Sequence, residues 1–148
     1  MQIDPRGPRF GAWITTAIFA IGLVIGGIHP AAAAILLGAQ TIVFAIGAGF
    51  GLRRAPYGLI YRALIRPRLG PPAELEDEAP PRFAQAVGAG FGVLAVAGYA
   101  AGIPLLGILA AAAALIAAFL NAAFGFCLGC EVYLLLRRLS PSPRAGAS

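Results

Sequence analysis

Charged residues are confined to a few parts of the chain, and between them lie four stretches without Asp, Glu, Lys or Arg: Phe10 to Ile28, Ala31 to Leu52, Phe83 to Ile103 and Leu105 to Cys130. They run 19, 22, 21 and 26 residues. A helix crossing the hydrocarbon core of a bilayer needs roughly 20 apolar residues, so each stretch is long enough for one passage. The pattern predicts an all-α integral membrane protein of four transmembrane helices. What remains is a head (residues 1–9), a loop (53–82), a tail (139–148, expected to be disordered) and two short turns, too little for a separate soluble core. The membrane domain, residues 10–138, is essentially the whole protein.

Composition removes the soluble alternatives. Of 148 residues, 59% are hydrophobic and 11% charged, and mean hydropathy is +0.84, against ~45–50% apolar and ~25% charged in soluble domains. All 11 basic residues are arginines, and all lie in the head, the loop or the C-terminal segment after Cys130. The turns around His29-Pro30 and Gly102-Ile103-Pro104 carry none. Four spans put the arginine-bearing segments on one side, and the positive-inside rule makes that side cytoplasmic, with both termini in and the protein in the inner membrane. A secretory signal ending at Ala31 to Ala34 is the alternative for the first span, but signal h-regions are ~7–15 residues. Trp13 and Tyr99 suit interfacial positions at opposite membrane faces. The basic balance is explained by anionic lipid and orientation, not nucleic acid.

Pro8-Arg9-Phe10 recurs as Pro81-Arg82-Phe83 73 residues later, and Pro30 and Phe50-Gly51 recur as Pro104 and Phe124-Gly125 after 74. This marks a duplicated two-helix hairpin with both copies in one orientation. Gly22/Gly26, Gly47/Gly51, Gly88/Gly92, Gly98/Gly102 and Gly125/Gly129 are each four apart, the spacing that lets helix backbones approach closely. Gly-Ala-Gly-Phe-Gly stands at both 47–51 and 88–92, so spans two and three are expected to cross there. A phosphate-binding glycine loop is the other reading, but it would follow a strand and open a helix.

In the loop, Tyr57, Ile60, Tyr61 and Leu64 recur at helical spacing with Arg54, Arg62 and Arg66 on another stripe, predicting a short interfacial helix. Gly70 to Pro81, with Glu74, Glu76, Asp77 and Glu78, reads as an extended solvated linker. Its acidic residues could otherwise bind a metal or a basic partner.

The two cysteines, Cys127 and Cys130, lie in Phe126-Cys127-Leu128-Gly129-Cys130-Glu131 at the cytoplasmic end of span four. On a helix, i and i+3 share a face, so the thiols can pair or carry a persulfide. A reducing cytosol makes the dithiol the expected resting state. Glu131 disfavours a thiolate while Arg137 favours one. A break near Gly125 would put the cysteines at the start of a new helix, where thiols are more acidic. Two other readings stay open: small packing residues beside the Gly125/Gly129 groove, or metal ligands, for which only a symmetric dimer would complete a set. Gln40, Gln85 and Asn121 should point into the bundle, as interhelical hydrogen bonds or, most of all at Asn121, as contacts to a substrate or quinone. The single histidine, His29, is a turn residue and leaves no pair for haem. No metal site and no cofactor fingerprint is expected.

Asp4-Pro5-Arg6, Arg66-Pro67-Arg68-Leu69-Gly70, Arg82-Phe83-Ala84-Gln85, Asn121 and the cysteine motif with Tyr133 resemble the corresponding motifs of an uncharacterised actinobacterial family of four-helix membrane proteins with a domain of unknown function. The resemblance spans nearly residues 1 to 138. It implies a membrane location and draws attention to the cysteines, since such proteins tend to be encoded near thioredoxin-like or sulfurtransferase genes.

Together these readings favour a thiol component. Its Cys127/Cys130 pair would exchange electrons or sulfur with a cytoplasmic thioredoxin-like or rhodanese-like partner, Cys130 attacking, Cys127 resolving and Glu131 accepting a proton. The alternatives are an oligomeric transport component for a small sulfur-containing solute, and a structural subunit with inert cysteines. The expected partners are the lipid bilayer, the thiol protein and a second copy of the chain.

Overall fold

A computed structural model describes residues 1–140; the expected tail falls, from residue 141 on, outside the described residues. Four long helices form the body: α1 (Arg6–Gly26), α2 (Pro30–Phe50), α5 (Ala79–Ala100) and α6 (Pro104–Phe124). All four are long and apolar enough to cross a membrane. Pro30 and Pro104 each occupy the first turn after a tight bend, where proline's fixed φ suits a helix start and its missing N–H costs nothing. The two hairpins pack as a ring, α1 on α2, α2 on α5, α5 on α6 and α6 back on α1. Ile21, Val24, Ile35, Ile42 and Ile116 are exposed on its outside, as lipid contact requires.

Phe19, Leu37, Phe44 and Tyr99 form the core with Ala33, Ala95, Ala110, Ala111 and Ala114. Phe19 stacks on Phe44 with ring centroids 6.2 Å apart. Tyr99, one residue from the end of α5, points into the bundle. It is only 3% exposed and its ring lies against Gly26 and Gly107, because two glycines facing one another leave a slot of that size. Trp13 is half exposed and meets Phe119 edge-on.

The repeated pentapeptides lie where α2 packs on α5, and each contact puts a glycine against a side chain of the other helix. Gly47 receives Gln85, Gly88 receives Phe44 and Gly92 receives Thr41, while a side chain at Gly49 or Gly90 would meet open space. Elsewhere Gly22 receives Leu37.

The loop is largely structured. Its first half is helical as α3 (Pro56–Ile60), a π-turn (Tyr61–Ile65) and α4 (Arg66–Leu69). Tyr57 and Tyr61 face α1 at Gly11 and Gly7, whereas Ile60 and Leu64 are exposed, so the four do not share one buried face. The extra residue of the π-turn shifts the phase between the tyrosines and the leucine. The acidic half is not simply solvated. Short strands β1 (Gln2–Ile3) and β2 (Glu76–Asp77) pair antiparallel, and Glu78 is buried, its carboxylate accepting the Leu52 N–H at 2.9 Å just beyond α2.

Candidate functional site

Hydrophobicity continues through Phe126-Cys127-Leu128, but the helix does not. α6 stops at Phe124 because Gly125 takes a left-handed φ of +68°, a conformation glycine adopts without steric cost. The Gly125 N–H donates to the Asn121 carbonyl at 3.0 Å and the Phe126 N–H to Leu120 at 3.2 Å, satisfying the carbonyls of the last turn. Chain direction then resets and α7 (Leu128–Leu139) begins, with extended Cys127 as its N-cap. The fourth span thus ends at Phe124, short of the Cys130 boundary expected from apolarity, and the cysteines sit at a helix start. The Cys130 N–H donates to Cys127 Sγ at 3.2 Å and the Glu131 N–H to the Cys127 carbonyl at 3.0 Å.

This cap brings the two sulfurs together. Cys127 and Cys130 are joined as a disulfide with Cα atoms 5.1 Å apart, inside the usual 4.4–6.8 Å range. The same geometry serves a pair that opens to the dithiol expected in a reducing compartment. α7 is held on α5 by Gly129, which fits over Ala84, and by Phe83 and Tyr133, whose rings are 5.7 Å apart. Arg137 lies over the Tyr133 ring at 5.9 Å, and Glu131 is exposed in the first turn of α7. Among the described residues no group of three or more His, Cys, Asp or Glu could hold a metal ion.

Both cysteines border a cavity of about 880 Å³ that runs from the loop end into the bundle. On α6 its wall is Ala113, Ala117 and Asn121, leading to Gly125 at steps of four residues. Ala113, Ala114, Ala117 and Ala118 of span four thus line the cavity. Facing them are Gly88 and Phe91 of α5, Phe44 of α2 and Ala12 of α1. Gln85, Asn121 and Arg9 border the same space.

Gln40, in contrast, is consumed by structure. It is 1% exposed, donates to Thr15 Oγ1 at 3.2 Å, and accepts a hydrogen bond from the Tyr57 hydroxyl. One amide joins α1, α2 and α3. Burial pushes the Tyr57 phenol up, which keeps it a donor.

A second polar cluster ties the head to the loop. The Asp4 carboxylate accepts from the Arg6 backbone N–H and guanidinium, with a 2.9 Å ion pair, and from the Tyr61 hydroxyl at 2.9 Å. Arg6 also reaches the Gly70 carbonyl at 2.9 Å. Burial alone would raise the Asp4 carboxyl, but these donors together hold it below its ordinary value. Burial, reinforced by the bond to Asp4, raises Tyr61.

The profile of a family described as "Domain of unknown function (DUF4395)" matches residues 3–138. The chain belongs to this family. The DUF4395 match takes in all four spans, the cavity and both cysteines. No curated protein and no solved structure matches the chain significantly. The geometry also gives two motifs of this DUF4395 chain a physical reason, since Asp4-Pro5-Arg6 bonds the Gly70 that closes Arg66-Pro67-Arg68-Leu69-Gly70.

Sequence reasoning missed the cavity and the roles of Arg9 and Arg82. Arg9 donates to the Ala122 carbonyl at 3.2 Å, and Arg82 to Ala48 at 2.9 Å and Gly49 at 3.0 Å. Their equivalent places in the Pro-Arg-Phe repeat were the available signal.

Proposed function

We propose that the chain is a multi-pass protein of the cytoplasmic membrane, with its N- and C-terminal segments in the cytoplasm, whose Cys127/Cys130 pair exchanges two electrons with a soluble thioredoxin-like partner. The observation that carries this reading is the break at Gly125, which makes Cys127 the N-cap of a new helix with Cys130 within bonding reach. A helix N-terminus stabilises a thiolate, so reduction of this disulfide has a stable product. The orientation follows from the arginines at the loop end and the positive-inside rule.

In the step we assign, a partner thiolate attacks Cys130 Sγ, the S–S bond breaks, and Cys127 leaves as a thiolate held by the Cys130 N–H. The better-stabilised thiolate is the better leaving group. The partner's second thiolate then attacks the mixed disulfide, closing the partner's own disulfide and releasing Cys130. Two electrons and two protons pass from the partner dithiol to the pair, with exposed Glu131 as proton relay. In the reverse direction Cys130 is the attacking thiol and Cys127 the resolving one. The closeness of the two sulfurs, which lets one thiol resolve a mixed disulfide on the other, supports electron exchange.

The test uses a thioredoxin whose resolving cysteine is serine. A thiol-sensitive adduct on Cys130 of the oxidised protein, absent from the Cys127→Ser/Cys130→Ser variant, is expected; no adduct with the wild type overturns the reading.

A further inference from the structure

We propose that the cavity beside the disulfide binds the head of a membrane quinone, which serves as the lipid-soluble two-electron acceptor for the Cys127/Cys130 dithiol. This rests on the redox reading above and supplies its missing partner within the membrane.

The argument starts from size and depth. A volume of about 880 Å³ lies within the ~300–1,000 Å³ typical of sites for small molecules and cofactors. From Gly125 to Ala113 the wall descends about 18 Å along α6 at 1.5 Å per residue, roughly to the middle of the span. A ligand lying along it would have one end at the disulfide and the other in the depth of the hydrocarbon. A water-soluble substrate has no use for that depth.

The lining is graded in the same direction. Ala113, Ala117, Gly88 and Phe44 make the deep part small and apolar, suited to a prenyl chain, and Arg9, Gln85 and Asn121 gather donors toward the cysteine end. Quinone carbonyl oxygens are acceptors only, and these side chains supply amide and guanidinium N–H groups. Both cysteines belong to the same lining, so a ring bonded at that end lies next to the sulfurs it oxidises.

The reaction balances without another reagent. Two S–H bonds break and one S–S bond forms, while the two carbonyl oxygens of the quinone become hydroxyls. The dithiol loses two electrons and two protons and the quinone gains them. The resulting disulfide is again the substrate of the soluble thiol partner.

The full chain in phospholipid nanodiscs, probed with decylubiquinone, tests this. Saturable binding of one equivalent is expected, at least tenfold weaker in Ala117→Phe. Asn121→Ala, which adds no bulk, should weaken binding several-fold, keeping the test decisive if the larger substitution does not fold. The pre-reduced wild type should convert one equivalent of decylubiquinone to the quinol while re-forming its disulfide, and the cysteine variant should convert none. Absence of saturable binding overturns the proposal, as does binding unaffected by both cavity variants, equal displacement by decanol (an alkyl chain without the quinone ring), or binding without dithiol oxidation. Quinone reduction that persists when no thioredoxin adduct forms would leave this site standing and overturn the soluble-partner reading alone.

Discussion

Arg9 donates a hydrogen bond to the carbonyl of Ala122, 113 residues away in sequence, and in the other half of the repeat Arg82 does the same to Ala48. Each arginine starts the first helix of one hairpin and caps the last turn of the second helix of the other. Helix C-termini carry unsatisfied carbonyls and a partial negative charge, which a guanidinium answers on both counts. The duplication thus survives as a reciprocal clasp between hairpins. Hydrogen bonds to charged groups contribute about 1.5–3 kcal/mol, and Arg82 makes more of them and is less exposed. Arg82→Gln should lower the thermal midpoint in detergent, followed by circular dichroism, more than Arg9→Gln does. Equal midpoints in both variants and the wild type would mean the clasp contributes nothing.

The amide of Gln40 makes a different kind of prediction, because its partners are buried. Tyr57→Phe keeps the ring against Gly11 but leaves the Gln40 carbonyl oxygen without its donor, a loss of about 1–3 kcal/mol. The loop helix should loosen from α1, seen as faster amide exchange across residues 56–65. The phenol's raised value also sets a direction with pH. A folded value above the ordinary 10.0 means this stability is fully present below pH 10 and lost as pH rises further. Tyr57→Phe should remove that alkaline dependence.

Asp4 has the opposite sign. Its folded value lies below the ordinary 3.8, so its contribution is present above that pH and disappears as pH falls through the folded value. Asp4→Asn should cost about 1.5–3 kcal/mol from charge-assisted bonds. It should also release the β1–β2 pairing, and proteolysis between residues 70 and 78 would report that release. Unchanged proteolysis would show that the head is held by other contacts.

The four spans and the hairpin repeat were legible because lipid imposes a simple demand, about 20 uncharged residues per crossing. Contacts that depend on which side of a helix faces inward were not. Tyr99 carries the same sequence signature as an interfacial aromatic, and only the facing Gly26 and Gly107 make it core. Ala113 and Ala117 suit lipid, packing or a cavity wall equally well, so the cavity left no trace in composition. The end of α6 was legible only as an option, since hydrophobicity runs on past Gly125 and the backbone turn there is set by one left-handed residue. Tyr57 and Tyr61 announced a helix in the loop, but the π-turn that separates them from Leu64 has no periodic signal of its own.

Gly125 is therefore the residue whose change should matter most locally. Gly125→Ala places a side chain in the left-handed region, at a cost of about 1–2 kcal/mol, and favours continuation of α6 through the cysteines. Cys127 would lose its cap position, and alkylation of the reduced protein at neutral pH should slow at that residue. Wild-type alkylation kinetics in this variant would show that the break does not tune the thiol.

The central claim, a redox-active pair at the cytoplasmic face, is tested most directly by labelling with a membrane-impermeant maleimide after mild reduction. Inside-out and right-side-out vesicles are compared, and the Cys127→Ser and Cys130→Ser variants assign the signal. The account predicts labelling from the cytoplasmic side alone, dependent on prior reduction, with the Cys127 thiol, present alone in Cys130→Ser, reacting faster at neutral pH than a free cysteine whose thiol titrates near ~8.5. Labelling only from the opposite face, or no labelling from either face after reduction, would contradict it.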